Sequence, residues 1–155
     1  MPSTFLSLLQ ALALLVLSLG VVAMFGVWRG FNPASFSPTT FVEVQQGAIR
    51  GLNDLLPAMG AIAIVTVLLL AFFGRGRPRV LSLYLMAAAA MIVAGLITHF
   101  GNQPINAVVM SWRGLPPAGW ETLRESWWSW HLARLAAGFV GELLLIAGVF
   151  ADRGS

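Results

Sequence analysis

The stretch that decides the fold is residues 55–98, LLPAMGAIAIVTVLLLAFFGRGRPRVLSLYLMAAAAMIVAGLIT. It contains two uncharged apolar runs, Leu55–Phe73 and Val80–Thr98, joined by the short arginine-rich connection Gly74–Arg79. A run of roughly 20 apolar residues is long enough for a helix to cross the hydrocarbon core of a bilayer. Two such runs with so short a connection predict an antiparallel pair of transmembrane helices.

Two further apolar runs, Phe5–Trp28 and Leu132–Phe150, extend this pattern to the rest of the chain. Of the 155 residues, 58% are hydrophobic and 10% are charged, and there is no cysteine, which excludes disulfides and thiolate metal sites. Because backbone groups in lipid have to be satisfied within the segment, each run is predicted to be a helix. We predict a single all-α domain over residues 1–155, an antiparallel four-helix bundle integral to the cell membrane.

The distribution of charge predicts the orientation of the bundle. The nine arginines leave a formal net charge of +3, spread too thinly for a nucleic-acid-binding surface, so no nucleic acid partner is predicted. Three of these arginines lie in the connection 74–79, and short arginine-rich loops face the cytoplasm. We therefore predict that this loop and both termini are cytoplasmic, and that the other two connections are extracytoplasmic.

Helical sequence continues beyond the apolar runs at the extracytoplasmic end. Thr39 or Thr40 is expected to cap a helix that runs on into the second span, where Pro57 is a candidate kink. The third span is predicted to continue towards Trp112, and a further helix is predicted to begin after Pro117 and lead into the fourth span. Three helices should therefore extend beyond the membrane on this side.

Polar residues in these extensions recur at spacings that place side chains on one face of a helix. All three resulting stripes fall at the same end of the bundle, and ionisable groups that face lipid are costly. We therefore predict that the stripes line one cavity near the outer surface. The first contains Glu43, Gln46, Gly47, Arg50 and Asp54, with Asn53 at its margin; the second contains His99, Asn102 and Asn106; the third contains Arg124, Trp127, His131, Arg134, Gly138 and Glu142.

Each stripe also has a purely structural interpretation. Glu43 and Arg50 could form a solvated helix surface, and the tryptophans at this end could form an interfacial aromatic belt. Glu142 lies about three turns inside the apolar segment, where it is either structural or a proton relay. A lone histidine would more often be bonded to a backbone carbonyl, but His99 and His131 at matching depth favour a functional pair.

Three segments of the chain resemble a known family. FVEVQQGAIRGLN at residues 41–53 precedes the second span, GNQPIN at 101–106 follows the third apolar run, and WWSWHLAR at 127–134 leads into the fourth. In this order they resemble the anthrone oxygenase family of small four-helix membrane proteins. Fungal relatives oxidise an anthrone to an anthraquinone with dioxygen, without a metal or flavin, while most bacterial members have no assigned activity. The resemblance therefore implies an oxidoreductase of the anthrone monooxygenase type.

The residues are compatible with such a reaction. An anthrone has an acidic methylene between two aryl rings, and its anion reacts directly with dioxygen, so a base and an anion clamp would suffice without a cofactor. His99 or His131 is the candidate base, and Arg134, with Asn102 and Asn106, could stabilise the enolate oxygen. An apolar substrate and dioxygen would enter from the bilayer. The predicted substrate-binding residues are Glu43, Gln46, Arg50, Asn53, Trp127 and Glu142, with Glu43 orienting a histidine.

A metal-dependent oxidoreductase is the first alternative. His99, His131 and Glu43 offer two imidazoles and a carboxylate, a donor set that suits iron, copper or zinc. The two histidines could instead ligate haem. Their spacing matches no sequence motif of a metal site, so this alternative ranks below the cofactor-free reaction.

A small transporter or a membrane assembly factor is the second alternative. Polar residues along the fourth helix could form a proton or ligand path, but the stripe ends at Glu142, with only Leu143–Phe150 beyond it. A continuous path is therefore not indicated. The small residues of AAAAMIVAG at 87–95 allow close helix contacts within the chain or between copies, which leaves a homo-oligomer open.

Overall fold

The computed structural model describes residues 3–154, and over this range its regular structure is entirely helical. A short 3₁₀ turn, Pro33–Ser35, follows the first helix, and a π-helical turn, Thr98–Asn102, joins the fourth helix to the fifth. The α-helices are α1 (Ser3–Gly30), α2 (Pro38–Leu52), α3 (Leu55–Phe73), α4 (Pro78–Ile97), α5 (Gln103–Ser111) and α6 (Trp120–Arg153).

Four long helical segments form the predicted bundle. The segments 4–35, 38–73, 78–111 and 120–153 are each long and apolar enough to cross a membrane. α1 and α4 each pack against both α3 and α6, so consecutive segments are neighbours in a closed ring of four. Their outer surfaces carry large exposed apolar side chains, as expected where lipid replaces water. The prediction of a multi-pass membrane four-helix bundle is confirmed.

The closest helix packing joins α4 to α6. A Cβ at Gly148 would lie 2.8 Å from the ring of Tyr84, and a Cβ at Gly141 would lie 3.1 Å from Met91 and 3.6 Å from the carbonyl of Ala87. Helices approach this closely only where small residues face each other. The alanine-rich segment 87–95 therefore serves a contact within the chain, and a contact between copies stays a prediction.

A smaller core lies at the end of the bundle that carries the connections after α1 and α5. Phe41, Val42, Val109 and Trp120 are buried there, and the ring centroids of Phe41 and Trp120 lie 4.9 Å apart. This core joins α2, α5 and the first turn of α6. The helical continuations predicted for the second, third and fourth spans are therefore present and packed on one another, and their position outside the membrane stays a prediction.

The start of α2 differs from the prediction. Ser37 caps this helix, rather than Thr39 or Thr40, because its Oγ accepts the backbone N–H of Thr40 at 3.2 Å. Pro38 is the first helical residue, a position where the missing N–H has no helical partner to lose. The cap therefore precedes the proline.

The junction between α2 and α3 has the irregularity predicted near Pro57, because helical hydrogen bonding is interrupted at Asn53 and Asp54 although both residues keep right-handed helical backbone angles. Pro57 explains the position of the break. A proline ring clashes with the carbonyl four residues earlier, here that of Asn53, and cannot donate a hydrogen bond to it. The break leaves the side chain of Asn53 at the inner edge of the junction, where it is only partly exposed.

Pro104 has a comparable effect on the third segment. The residues just before it form the π turn, in which the N–H of Gln103 bonds the carbonyl of Thr98. A π turn holds one residue more than an α-helical turn. Side chains after it are therefore rotated by about 100° from the faces that a continuous α-helix would give.

Polar contacts join three segments at the opposite end of the bundle. The amide of the buried Gln10 on α1 donates to the carboxylate of Asp152, and Arg153 donates to the amide oxygen of Gln10. Arg77 forms an ion pair with Asp152 and donates to its backbone carbonyl. The loop 74–79 is thereby attached to the last turn of α6.

Candidate functional site

A cavity of about 380 Å³ lies between the end of α1, the helix α2 and the polar part of α6. We call it the outer cavity. Its volume falls in the range of small-molecule sites. Most of its lining is apolar, from residues such as Met24, Phe31 and Leu52, and its polar lining includes the side chains of Asn53, Asn106, His131 and Arg134.

A second cavity of about 290 Å³, the inner cavity, lies between α1, α3, α4 and α6. Its lining is mostly aliphatic, with His99 and Gln103 on one side. The two cavities adjoin, because several residues line both. These shared residues are Met24, Leu56, Pro57, Thr98 and Arg134.

His131 is fully buried, and both of its ring nitrogens are hydrogen-bonded. Nδ1 accepts from Nη2 of Arg134 at 3.0 Å and from its Nε at 3.3 Å. Because a guanidinium can only donate, Nδ1 carries the lone pair and Nε2 the proton. Nε2 then donates to the carbonyl of Met24 on α1 at 3.1 Å. The ring is therefore a neutral imidazole in a defined tautomer and orientation.

Aromatic side chains enclose this imidazole. The ring of Trp127 stacks on that of His131, with centroids 5.2 Å apart and planes 8° from parallel. Trp128 lies at 5.6 Å and 19° from the same ring. The guanidinium carbon of Arg134 lies 5.9 Å from the centroid of Trp127. The flat, electron-rich ring of Trp127 therefore lies next to Arg134, which is the only charged residue that lines the outer cavity among residues 3–154.

A relay of amides fixes the position of Trp127. Its indole Nε1 donates to Oδ1 of Asn106 at 2.9 Å, and Nδ2 of Asn106 donates to Oδ1 of Asn53 at 2.9 Å. Asn102 is fully buried and donates to the backbone carbonyl of Trp127 at 3.1 Å. These bonds connect α6 to α5, to the π turn and to the junction between α2 and α3.

Gly101 allows the π turn to approach α6. A Cβ at this position would lie 2.5 Å from the ring of Trp130. The segments 101–106 and 127–134, two of the three that carry the family resemblance, therefore contact each other through a glycine, two asparagines and two tryptophans. Their motif residues form one packed unit.

His99 lies apart from this unit. It is exposed, its Nδ1 is 3.0 Å from the amide oxygen of Gln103, and it lines the inner cavity. The predicted stripe of His99, Asn102 and Asn106 assumed a continuous α-helix. The π turn rotates the two asparagines towards α6 and leaves His99 on another face. The two histidines therefore line adjoining cavities rather than the single cavity that we predicted.

Four predicted substrate-binding residues lie away from the lining of the outer cavity. Glu43 and Arg50 are exposed on α2. Gln46 donates to two carbonyls at the end of α5, at 2.9 and 3.1 Å, so it joins α2 to α5. Glu142 lies deeper in the bundle and bonds the hydroxyl of Ser18 on α1 at 2.6 Å. Asn53 and Trp127, in contrast, line the cavity.

The metal-ligand triad of the alternative hypothesis is not assembled. Among residues 3–154, no group of three or more His, Asp or Glu side chains is arranged to hold a metal ion. His99 and His131 line different cavities, and Glu43 is exposed on α2.

Met24 and Gln45 are among the residues of the outer cavity that were not predicted from the sequence. Met24 bonds His131 through its backbone carbonyl, which no pattern of side chains could indicate. Gln45 is only 6% exposed and lines the cavity. Its position one helical turn after the apolar Phe41 was the available signal, because it places an amide on the buried face of α2.

Comparison with known proteins identifies a family for this chain. The sequence model of the family described as anthrone oxygenase matches residues 48–144, which include the amide relay, the π turn and the polar part of α6. No curated protein and no solved structure matches the chain. The matched segment covers more than half of the chain and contains both segments that contact each other at the cavity. The chain therefore belongs to the anthrone oxygenase family.

Proposed function

We propose that the outer cavity binds an anthrone, or a similar planar aromatic compound with an acidic C–H, and promotes its oxidation by dioxygen without a cofactor. The observation that carries this proposal is the pair of His131 and Arg134, a neutral imidazole and a guanidinium in contact within an aromatic-walled cavity. Family membership supports the reaction class. The apolar surroundings suit both the substrate and dioxygen, which dissolve in the bilayer.

The proposed first step is removal of a proton by His131. In an anthrone, the carbonyl and the methylene lie on opposite sides of the central ring. While His131 faces the methylene, the carbonyl oxygen lies on the far side of the ring, so Arg134 can reach that oxygen only by leaving Nδ1 of His131. This movement frees the lone pair of Nδ1, which then acts as the base. Burial strengthens the stabilisation of the enolate oxygen by the guanidinium. The bond from Nε2 to the carbonyl of Met24 stabilises the resulting imidazolium.

The second step is the reaction of the anion with dioxygen. One electron pair of the carbanion forms a C–O bond and reduces dioxygen to a hydroperoxide on the same carbon. Loss of water then converts this carbon into a carbonyl, so that one oxygen atom is retained in the quinone and the other leaves as water with both methylene hydrogens. The imidazolium of His131 supplies the proton of the hydroperoxide. The neutral ring then takes the second methylene proton as the O–O bond breaks and returns it to the departing hydroxide as water, so the residues end in their starting state.

Oxygen uptake with a simple anthrone such as dithranol tests the proposal, using purified protein in detergent. We expect quinone and consumed dioxygen in equal amounts, at a rate above autoxidation. General base catalysis contributes roughly 10²–10⁴-fold, so His131→Gln should lower the rate by about that factor. His99→Gln is the comparison variant, because this histidine lines only the adjoining cavity: with an anthrone that carries no alkyl chain it should keep its kcat, whatever its effect on KM.

Each outcome of this experiment has one interpretation. Loss of turnover in His131→Gln with retention in His99→Gln supports the proposal, provided that both variants melt near the wild-type temperature. The reverse result would move the base to the inner cavity. Metal bound in a one-to-one ratio, together with loss of activity on chelation, would overturn the cofactor-free reaction.

We also propose that the loop 74–79 and both termini are cytoplasmic and that the cavity end is extracytoplasmic. The support is that Arg75 and Arg79 are exposed in this loop, whereas Arg77 is paired with Asp152. Positions 1 and 155 lie outside the described residues. Because the chain has no cysteine, Gly76→Cys and Ala118→Cys give single labelling sites. An impermeant maleimide should label only position 118 in intact cells, and the opposite pattern would invert the orientation.

A further inference from the structure

The inner cavity differs in chemistry from the outer one. Among the described residues, its lining contains no phenylalanine, tyrosine or tryptophan, and most of it is aliphatic or small. Met59 and Met91 belong to this lining, and methionine adapts its shape to irregular apolar ligands. The polar lining residues are confined to the side next to the outer cavity. They are Thr98, His99, Gln103 and Arg134.

The inner cavity also reaches the surface of the bundle. The most exposed residues of its lining are Pro57 and Ala61 on α3, Gly95 on α4 and His99 in the π turn. The opening therefore lies between α3 and α4. Ala61 and Gly95 belong to the apolar segments, so the opening faces hydrocarbon. A ligand that enters here passes from the bilayer into the inner cavity and meets Arg134 at the junction with the outer cavity.

We infer that the inner cavity is a subsite for a hydrocarbon chain carried by the substrate, which enters from the bilayer between α3 and α4. The inference rests on the proposed function, since it places the reacting aromatic ring in the outer cavity. Arg134 lines both cavities and marks the point where a polar ring substituent would meet the chain. The substrate class is therefore a membrane-soluble aromatic compound with an aliphatic substituent, rather than an unsubstituted polycycle.

Because the ligand comes from the hydrocarbon of the bilayer and not from water, the subsite cannot select it by hydrophobicity alone. A chain dissolved in hydrocarbon gains nothing from the hydrophobic effect when it moves into an apolar cavity. Selection therefore depends on shape and volume, and the available volume of about 290 Å³ sets an upper limit. We expect a chain that fills the cavity to be preferred and a longer chain to be rejected.

Gly60 provides a way to fill the subsite. It lines the inner cavity, and a Cβ added there would meet no atom within 4 Å. Gly60→Leu therefore adds side-chain volume at a lining position where the Cβ itself has room. Gly26→Leu is the matched control, because Gly26 is exposed on α1 and a Cβ there also meets open space.

The test compares two probes, an unsubstituted anthrone and the same anthrone with a linear alkyl chain that ends in a diazirine. Gly60→Leu should lower the ratio of alkyl-anthrone to anthrone turnover by about ten-fold or more, because overfilled apolar sites reject ligands strongly. Gly26→Leu should leave this ratio unchanged. Photolysis of the wild-type protein with the alkyl probe should label Met59 or Met91. An unchanged ratio in Gly60→Leu would overturn the inference.

Labelling separates failure of the subsite from failure of the reaction. Labelling at Met59 or Met91 without turnover of either probe would support the subsite and overturn the proposed oxidation. Turnover of both probes with labelling confined to the outer surface would overturn the subsite and leave the oxidation standing. Labelling that phospholipid alone suppresses completely would identify a lipid acyl chain as the occupant and overturn the assignment to substrate.

Discussion

Replacement of Gly101 by alanine tests the contact between the segments 101–106 and 127–134. A Cβ at this position would lie 2.5 Å from the ring of Trp130, and two other ring atoms would lie at 2.6 and 2.9 Å. One of the three is the ring atom next to the Cβ of Trp130, so a small rotation of the ring cannot relieve the clash. Either the π turn has to move away from α6, or Trp130 has to leave its site.

Gly95→Ala is the reference for the size of this effect. Gly95 lies less than two turns earlier, and a Cβ there meets no atom within 4 Å. Both variants exchange a helical glycine for alanine, so the gain in helix propensity, up to about 1 kcal/mol, cancels to first order in the comparison. The remaining difference is the clash, and overpacking of this kind costs about 1–3 kcal/mol. Gly101→Ala should therefore unfold more easily than Gly95→Ala by this amount.

Equilibrium unfolding in mixed micelles measures the difference, with helix content by circular dichroism as the signal. Oxygen uptake should fall in Gly101→Ala as well, because displacement of the π turn pulls Asn102 and Asn106 away from Trp127. Equal stability of the two variants would refute the close packing of the π turn on α6. Retained activity in a destabilised Gly101→Ala would show that the asparagines need not be held by this turn.

Three further predictions concern other contacts. Asn106→Leu should lower the free energy of unfolding by about 1–3 kcal/mol, since it leaves the indole N–H of Trp127 without an acceptor. A double-mutant cycle with Trp127→Phe should give a coupling energy of about 1 kcal/mol, and additive effects of the two mutations would contradict the hydrogen bond. Ser37→Ala should cost about 1 kcal/mol of helix stability, measured as faster amide exchange confined to the first turn of α2. Asp152→Asn should lower the free energy of unfolding by about 1–3 kcal/mol, because it removes the negative charge that pairs with Arg77. A variant as stable as the wild type would show that this ion pair does not stabilise the fold.

The fold was predictable because its main signal is the length of the apolar runs. The prediction for the second span, Leu55–Phe73, has the same bounds as α3, and the third span differs from α4 by at most two residues at each end. Segments of membrane length have few alternatives to helices. Because the connections are short, the simplest arrangement packs consecutive helical segments as antiparallel neighbours, and this is the arrangement in the structure.

The site was only partly predictable, because helical spacing is reliable only within an uninterrupted helix. Trp127, His131 and Arg134 lie in α6, which has no break, and they form the predicted cluster. His99 and Asn102 are separated by the distortion of the helix before Pro104, which the spacing did not include. A sequence can indicate that a proline disturbs a helix, but whether the helix bends, breaks or adds a residue depends on what packs against it.

The π turn also changes what an insertion or deletion means in this part of the chain. In most membrane helices, the loss of one residue is expected to be harmful and is accepted mainly in loops. Loss of one residue between Thr98 and Asn102 would return the segment to α-helical geometry and rotate α5 by about 100° relative to α4. Asn106 would then turn away from Trp127 although no side chain had been replaced. When related sequences are aligned, a one-residue gap at this turn therefore separates chains in which Asn106 faces Trp127 from chains in which it does not. Such a gap is as informative as a substitution of a residue that lines the cavity.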